Sequence, residues 1–121
     1  MKTREISPHD WSEFFDRVSA SLQGKRIDIE IDAPDIGAQL EAKKLSLNGL
    51  SYDRRGDVLA IDTEVIEHLV RAPQQIYITG DEDAVDSLAI TVAGGGKHIV
   101  SFSEPLALPA PGSAARAADR V

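Results

Sequence analysis

The sequence predicts an α+β domain in which one N-terminal amphipathic helix packs on a twisted antiparallel sheet of about five to seven short strands. Three observations carry that prediction. Ile27, Ile29 and Ile31 alternate with Asp28, Glu30 and Asp32, which is the two-residue period of a strand with one apolar and one acidic face. Trp11, Phe14, Phe15, Val18 and Leu22 recur at helical spacing and form a single apolar stripe. From residue 36 onward, short apolar runs are separated by clusters of Gly, Pro, Asn and Asp, the residues that turn a chain back on itself. Curling of the sheet into a small barrel would accommodate so many short strands.

The helix has a start and a stop. Ser7 offers an N-cap, Pro8 suits the first helical position, and Asp10 stands where a capping box prefers Glu or Gln. Gly24 closes the helix as a left-handed cap. Because the stripe holds the only tryptophan and two of the three phenylalanines, it is expected to pack the core rather than to bind a ligand.

The isoleucine strand follows, and Ala33-Pro34-Asp35-Ile36-Gly37 then reads as a turn. A second strand spans roughly Ala38 to Leu47. Leu40 and Ala42 share one parity and Leu45 and Leu47 the other, so a β-bulge is expected near Lys43-Lys44. Asn48-Gly49 signals a hairpin, with Leu50 to Tyr52 as a short return before the turn at Asp53 to Asp57. Val58 to Ile61 is the next strand.

Thr63 to Val70 can be taken two ways. Val65, Ile66, Leu69 and Val70 fit a helical face behind an Asp62 or Thr63 cap, whereas the β-branched content and Pro73 suit an extended run. A short helical turn that becomes extended is the expectation. Gln75 to Thr79, Val85 to Val92 and Lys97 to Ser103 read as three antiparallel strands joined by residues 80–83 and 93–96. Residues 1–104 make one domain. Residues 105–121 form an Ala/Pro-rich flexible tail, with a helix over Ala114 to Arg120 only if a partner docks it.

Composition narrows function by exclusion. Twenty acidic against thirteen basic side chains give a net charge of −7, which repels phosphate backbones and disfavours nucleic acid. The basic pairs Lys25-Arg26, Lys43-Lys44 and Arg54-Arg55 are expected to be solvated strand ends. Without cysteine there is no disulfide, no thiolate nucleophile and no cysteine-held metal. No signal peptide and no apolar run of membrane-spanning length is seen, so the expected location is cytoplasmic and membrane is not an expected partner.

No motif demands a reaction. His9, His68 and His98 lie far apart without metal-ligand spacing, so neither metal nor cofactor is expected. Asp81, Glu82, Asp83 and Asp86 lack the pattern of a calcium loop and read as a solvated hairpin tip. Gly94-Gly95-Gly96-Lys97 is not a phosphate loop, since Thr91 replaces the first glycine and His98 the final hydroxyl residue. Arg55-Gly56-Asp57 is an adhesion tripeptide only by spelling. No serine sits in a nucleophile elbow.

Pro34-Asp35-Ile36-Gly37-Ala38-Gln39-Leu40-Glu41-Ala42, Leu45 to Ser51, Ala72-Pro73, the opening Thr3-Arg4-Glu5-Ile6 and Trp11 together resemble a family of small bacterial proteins known only as a domain of unknown function, family 5335 of that series. The resemblance covers roughly residues 3–103. It implies a bacterial cytoplasmic protein and supplies no activity or catalytic residue. The leading expectation is a non-enzymatic protein-interaction module, an accessory or stress-related protein that binds a protein partner or self-associates through sheet edges. The alternative is a small-ligand binder or small enzyme with a pocket between helix and sheet, for which Asp35, Gln39, Glu41, Tyr52 and His68 are the candidate residues. Nucleic-acid binding ranks third.

Overall fold

The isoleucine alternation becomes the central strand of the sheet. The computed structural model describes residues 2–19, 24–81 and 84–107. Strand β1 (Lys2–Ile6) leads through a 3₁₀ turn (Pro8–Asp10) into helix α1 (Trp11–Ser19). Strands β2 (Arg26–Ala33), β3 (Gly37–Asp53), β4 (Val58–Thr63), β5 (Glu67–Arg71), β6 (Gln75–Asp81), β7 (Ala84–Thr91) and β8 (Lys97–Ala107) follow. They form one antiparallel sheet in the order β1-β6-β7-β8-β2-β3-β4-β5.

Ile27 and Ile29 of β2 are fully buried and stand opposite Phe102 and Val100 of β8, and Val100 stands opposite Leu88 of β7. Direct opposition keeps these side chains on one face. Trp11, Phe14, Phe15 and Val18 of α1 are buried with them, which realises the stripe seen in the sequence. Trp11 Nε1 donates to the Ile6 carbonyl at 2.9 Å, and Ser19 Oγ donates to the Leu50 carbonyl at 2.7 Å, so the helix is fastened to β1 at one end and to β3 at the other.

The sheet is folded over rather than flat. β8 and β5 are separated by three strands, a span of about 19 Å in a flat sheet. Yet the His98 and His68 rings meet at 2.8 Å. The bend lies in β3, whose first half pairs with β2 and whose second half pairs with β4. Its register against β2 steps from Ile27↔Leu45 to Ile29↔Ala42 to Glu30↔Leu40, and against β4 from Leu47↔Thr63 to Gly49↔Asp62. Each step inserts an extra residue on β3, and bulges of this kind bend and twist a strand. The expected bulge at Lys43-Lys44 is present. Lys44 sits at φ 51°, and its N–H donates to Asp28 Oδ1 at 2.7 Å, so a main-chain donor answers one charge of the acidic face.

Several expectations are corrected. Among the described residues there are eight strands, not five to seven, and the folded sheet does not close into a barrel. Two strands are added: β1, whose sequence KTREI holds one apolar residue and gives no alternation to detect, and β5, where a helical turn running into extended chain was expected; the expected strands Ala38 to Leu47 and Leu50 to Tyr52 are one strand, β3. The helix is short, because Pro8–Asp10 is a 3₁₀ turn and Ser7 makes no side-chain cap. Gly24 does adopt φ 79°, while Leu22 lies outside the described residues. Asn48-Gly49 is not a hairpin: β3 runs through it with a bulge. Thr63 to Val70 contains no helical turn. The expected link at residues 80–83 includes Glu82 and Asp83, which lie outside the described residues, as does the tail from 108 onward. β8 itself continues past 104 to Ala107, and Leu106 is fully buried opposite Val85.

Candidate functional site

β5 is strand rather than helix because both its ends are pinned. At the start, Thr63 Oγ1 accepts from the N–H groups of Ile66 (2.9 Å) and Val65 (3.3 Å), and the Thr63 N–H donates to the Ile66 carbonyl at 2.9 Å. At the end, the Ala72 N–H donates to the Asp57 carbonyl at 2.7 Å, with Ala72 at φ 51° and Pro73 buried behind it. Both bonded pairs lie in register with the β4–β5 ladder, in which Leu59 opposes Val70 and Ile61 opposes His68. Bonded and non-bonded pairs alternate along an antiparallel ladder. Residues 66, 68, 70 and 72 therefore bond inward to β4, and Glu67, Leu69 and Arg71 direct their N–H and C=O groups to the outer edge.

The side chains sort by face. His68 and Val70 share the core face with Ile61 and Leu59, whereas Glu67, Leu69 and Arg71 share the other face with Asp62, Ala60 and Val58. Leu69 is 37% exposed, one of few large apolar side chains that are.

Beneath this strand lies the histidine pair. His68 Nε2 and His98 Nδ1 are 2.8 Å apart, with ring centroids at 5.0 Å and planes at 53°. Burial holds both imidazoles below their ordinary pKa, and for His98 the neighbouring His68 adds to the effect. The Glu41 carboxylate pulls the other way on both rings. At neutral pH both rings are uncharged, and the N–H of one donates to the bare nitrogen of the other. The pair thus ties β5 to β8 across the fold. It can relay or hold a proton, but among the described residues no three His, Asp or Glu side chains are gathered to hold a metal ion.

Of the five residues singled out from the sequence, Glu41 and His68 come together here. Gln39 shares its face with His98, since both oppose Ile31 of β2, but it is exposed and its Nε2 donates to the Ile36 carbonyl at 3.5 Å. Asp35 is exposed in the β2–β3 turn. Tyr52 stands elsewhere, edge-on to Trp11 at 5.2 Å, and its hydroxyl donates to Asp57 Oδ1 at 2.6 Å. That bond, followed by burial, pushes its pKa up to about 12. His98 is not among the five sequence candidates, although it shares parity with the buried Val100 and Phe102 and so belongs to the core face.

Two open clefts lie at the other end of the sheet. One of about 330 Å³ is lined by Lys2, Arg4, Ile78, Gly80 and Asp81, and one of about 270 Å³ is lined by Arg4, Ile6, Ile78 and Asp10 together with the helix residues Glu13, Phe14 and Arg17. None of the five sequence candidates lines either cleft. The basic pairs have local partners: Lys25 Nζ lies 3.8 Å from Glu104 Oε2, Arg26 Nη1 donates to the Lys44 carbonyl, and Arg54 Nη2 donates to the His9 carbonyl. No helix of the described residues is long and apolar enough to cross a membrane.

Comparison with known proteins places this chain among relatives without an assigned role. The chain is 29% identical over 110 residues to an uncharacterized protein of Aquifex aeolicus (strain VF5), which covers 90% of this chain and 99% of that protein. No solved structure matches. A family model matches residues 2–111, and the chain belongs to the family it describes, the Family of unknown function (DUF5335).

Proposed function

We propose that the chain is a non-enzymatic, cytoplasmic protein-interaction module that offers the edges of its open sheet to a protein partner. One observation carries this reading: the sheet ends in β1 and β5, each bonded on one side only among the described residues. A strand edge with unsatisfied N–H and C=O groups is a template for another strand. A photo-crosslinking side chain placed at Thr3 in β1 or Leu69 in β5, in living cells, tests it. Protein-sized adducts from these positions, and none from Thr91 in the interior strand β7, are expected. Absence of adducts from both edges would overturn the reading.

A second reading, a small-ligand site, draws on the His68–His98 pair and the nearby Glu41 charge. It predicts a small mass retained in native mass spectrometry that is lost in Glu41→Gln and His68→Ala.

A further inference from the structure

We infer that β5 pairs with β5 of a second copy of this chain, antiparallel about Leu69, to make one continuous sheet across two subunits. The inference rests on the interaction-module reading and names its partner. The strand reads Glu67-His68-Leu69-Val70-Arg71. Turned on itself about Leu69, it sets Glu67 opposite Arg71 of the second copy, Leu69 opposite Leu69, and Arg71 opposite Glu67. Opposed residues share a face, so two ion pairs flank a central apolar contact. These are also the three residues whose main-chain groups point outward, and each opposed pair of that kind exchanges two N–H···O bonds.

Among the described residues, no ion pair within one chain performs this role. Glu67 and Arg71 are four residues apart in an extended strand, about 13 Å, too far to meet. Glu67 instead stands directly opposite Asp62 of β4, a like-charged neighbour on the same exposed face. Like charges in that position destabilise a sheet, and an arginine arriving from outside relieves them. Leu69 gains cover from its own copy next to Ala60, which is already part-buried behind it.

The other edge does not share this symmetry. Self-pairing of Lys2-Thr3-Arg4-Glu5-Ile6 about its centre would set Arg4 against Arg4 and Lys2 against Ile6. The second copy is therefore selected by β5 and refused by β1. With a net charge of −7 on each chain, the general field opposes association, so the local pairs decide whether it occurs. A five-residue strand gives a small interface, and such contacts are weak and transient.

Sedimentation equilibrium of the full chain over a concentration series reads the result directly. The wild type is expected to pass from monomer to dimer, and Arg71→Glu and Glu67→Arg are each expected to weaken that step by more than about tenfold through like-charge opposition. Mixing the two variants restores pairing, because each then faces its complement. Both positions are exposed, so the variants are expected to fold, which their circular dichroism checks. A wild type that stays monomeric, or a dimer indifferent to both reversals, would overturn self-pairing. Crosslinking from Leu69 to a different protein, with a monomeric wild type, would remove the second copy as partner and leave the interaction-module reading standing; no crosslink from either edge would remove both.

Discussion

β1 and β5 are edge strands of equal length, five residues each, and they are built to opposite effect. β1 carries Lys2 and Arg4 at alternate positions on one face, with Ile6 as its single buried residue. β5 carries Glu67 and Arg71 at equal distances from Leu69, with Val70 fully buried and the His68–His98 bond beneath. Two charges of one sign on one side of a strand guard it against its own copy. Two charges of opposite sign placed symmetrically invite that copy. Edge charge is often described only as protection, and here its spacing decides between protection and recognition.

The largest expected effect breaks this contrast outright. Arg71→Glu should weaken self-association by more than about tenfold, while Arg4→Glu on β1 should leave it within about twofold; equal losses would show that neither edge is special. Next in size is the difference in how the edges are fastened. His98→Ala removes the half-buried bond under β5 and should cost about 1–2 kcal/mol in urea unfolding. Thr3→Ala removes the exposed Thr3 Oγ1 to Thr79 Oγ1 contact of 2.9 Å on β1 and should cost less than about 0.5 kcal/mol.

A smaller effect follows from pH. Both histidines titrate below their usual value when folded, so above pH about 6.5 folded and unfolded chains are equally deprotonated and the pair contributes fully. As pH falls below that point, the unfolded chain takes up protons that the folded pair resists, and stability is lost toward acid. The melting-temperature gap between wild type and His98→Gln should therefore shrink from about pH 8 to about pH 5. A constant gap would mean that β5 is no more acid-sensitive than β1. Lys44→Gly relieves a positive φ at the bulge that bends β3 toward β5; that relief, about 1–2 kcal/mol, is partly offset by glycine's larger loss of chain freedom, about 0.5–1 kcal/mol, and the same urea experiment should show a net stabilisation below about 1 kcal/mol.

Elements with local signatures were legible in the sequence. Ile27 and Ile29 alternate because one face is buried, and the parity change across Lys43-Lys44 marks its bulge in the sequence itself. β1 was not legible, since its place depends on pairing with β6 more than seventy residues away rather than on its own residues. Asn48-Gly49 has the chemistry of a tight turn, yet the pairing of both halves of β3 with β2 and β4 holds the chain extended through it. At the candidate site, His68 and Glu41 could be nominated by type. Their meeting with His98 could not, because it is created by folding the sheet over across three strands. The symmetry of β5 was written in five residues all along, but it acquires meaning only once that segment is known to be an edge strand.

The pairing of Lys2 with Gly80 has a consequence for the chain as it is being made. At about 5–20 residues per second, roughly 4–16 seconds of translation separate the emergence of β1 from that of its partner β6. Throughout that interval β1 has no strand to join. A greasy segment left waiting so long would be captured by chaperones or by other nascent chains. Lys2, Arg4 and Glu5 keep it soluble until β6 arrives, so the residues that made this strand invisible to pattern reading also make it safe to synthesise early.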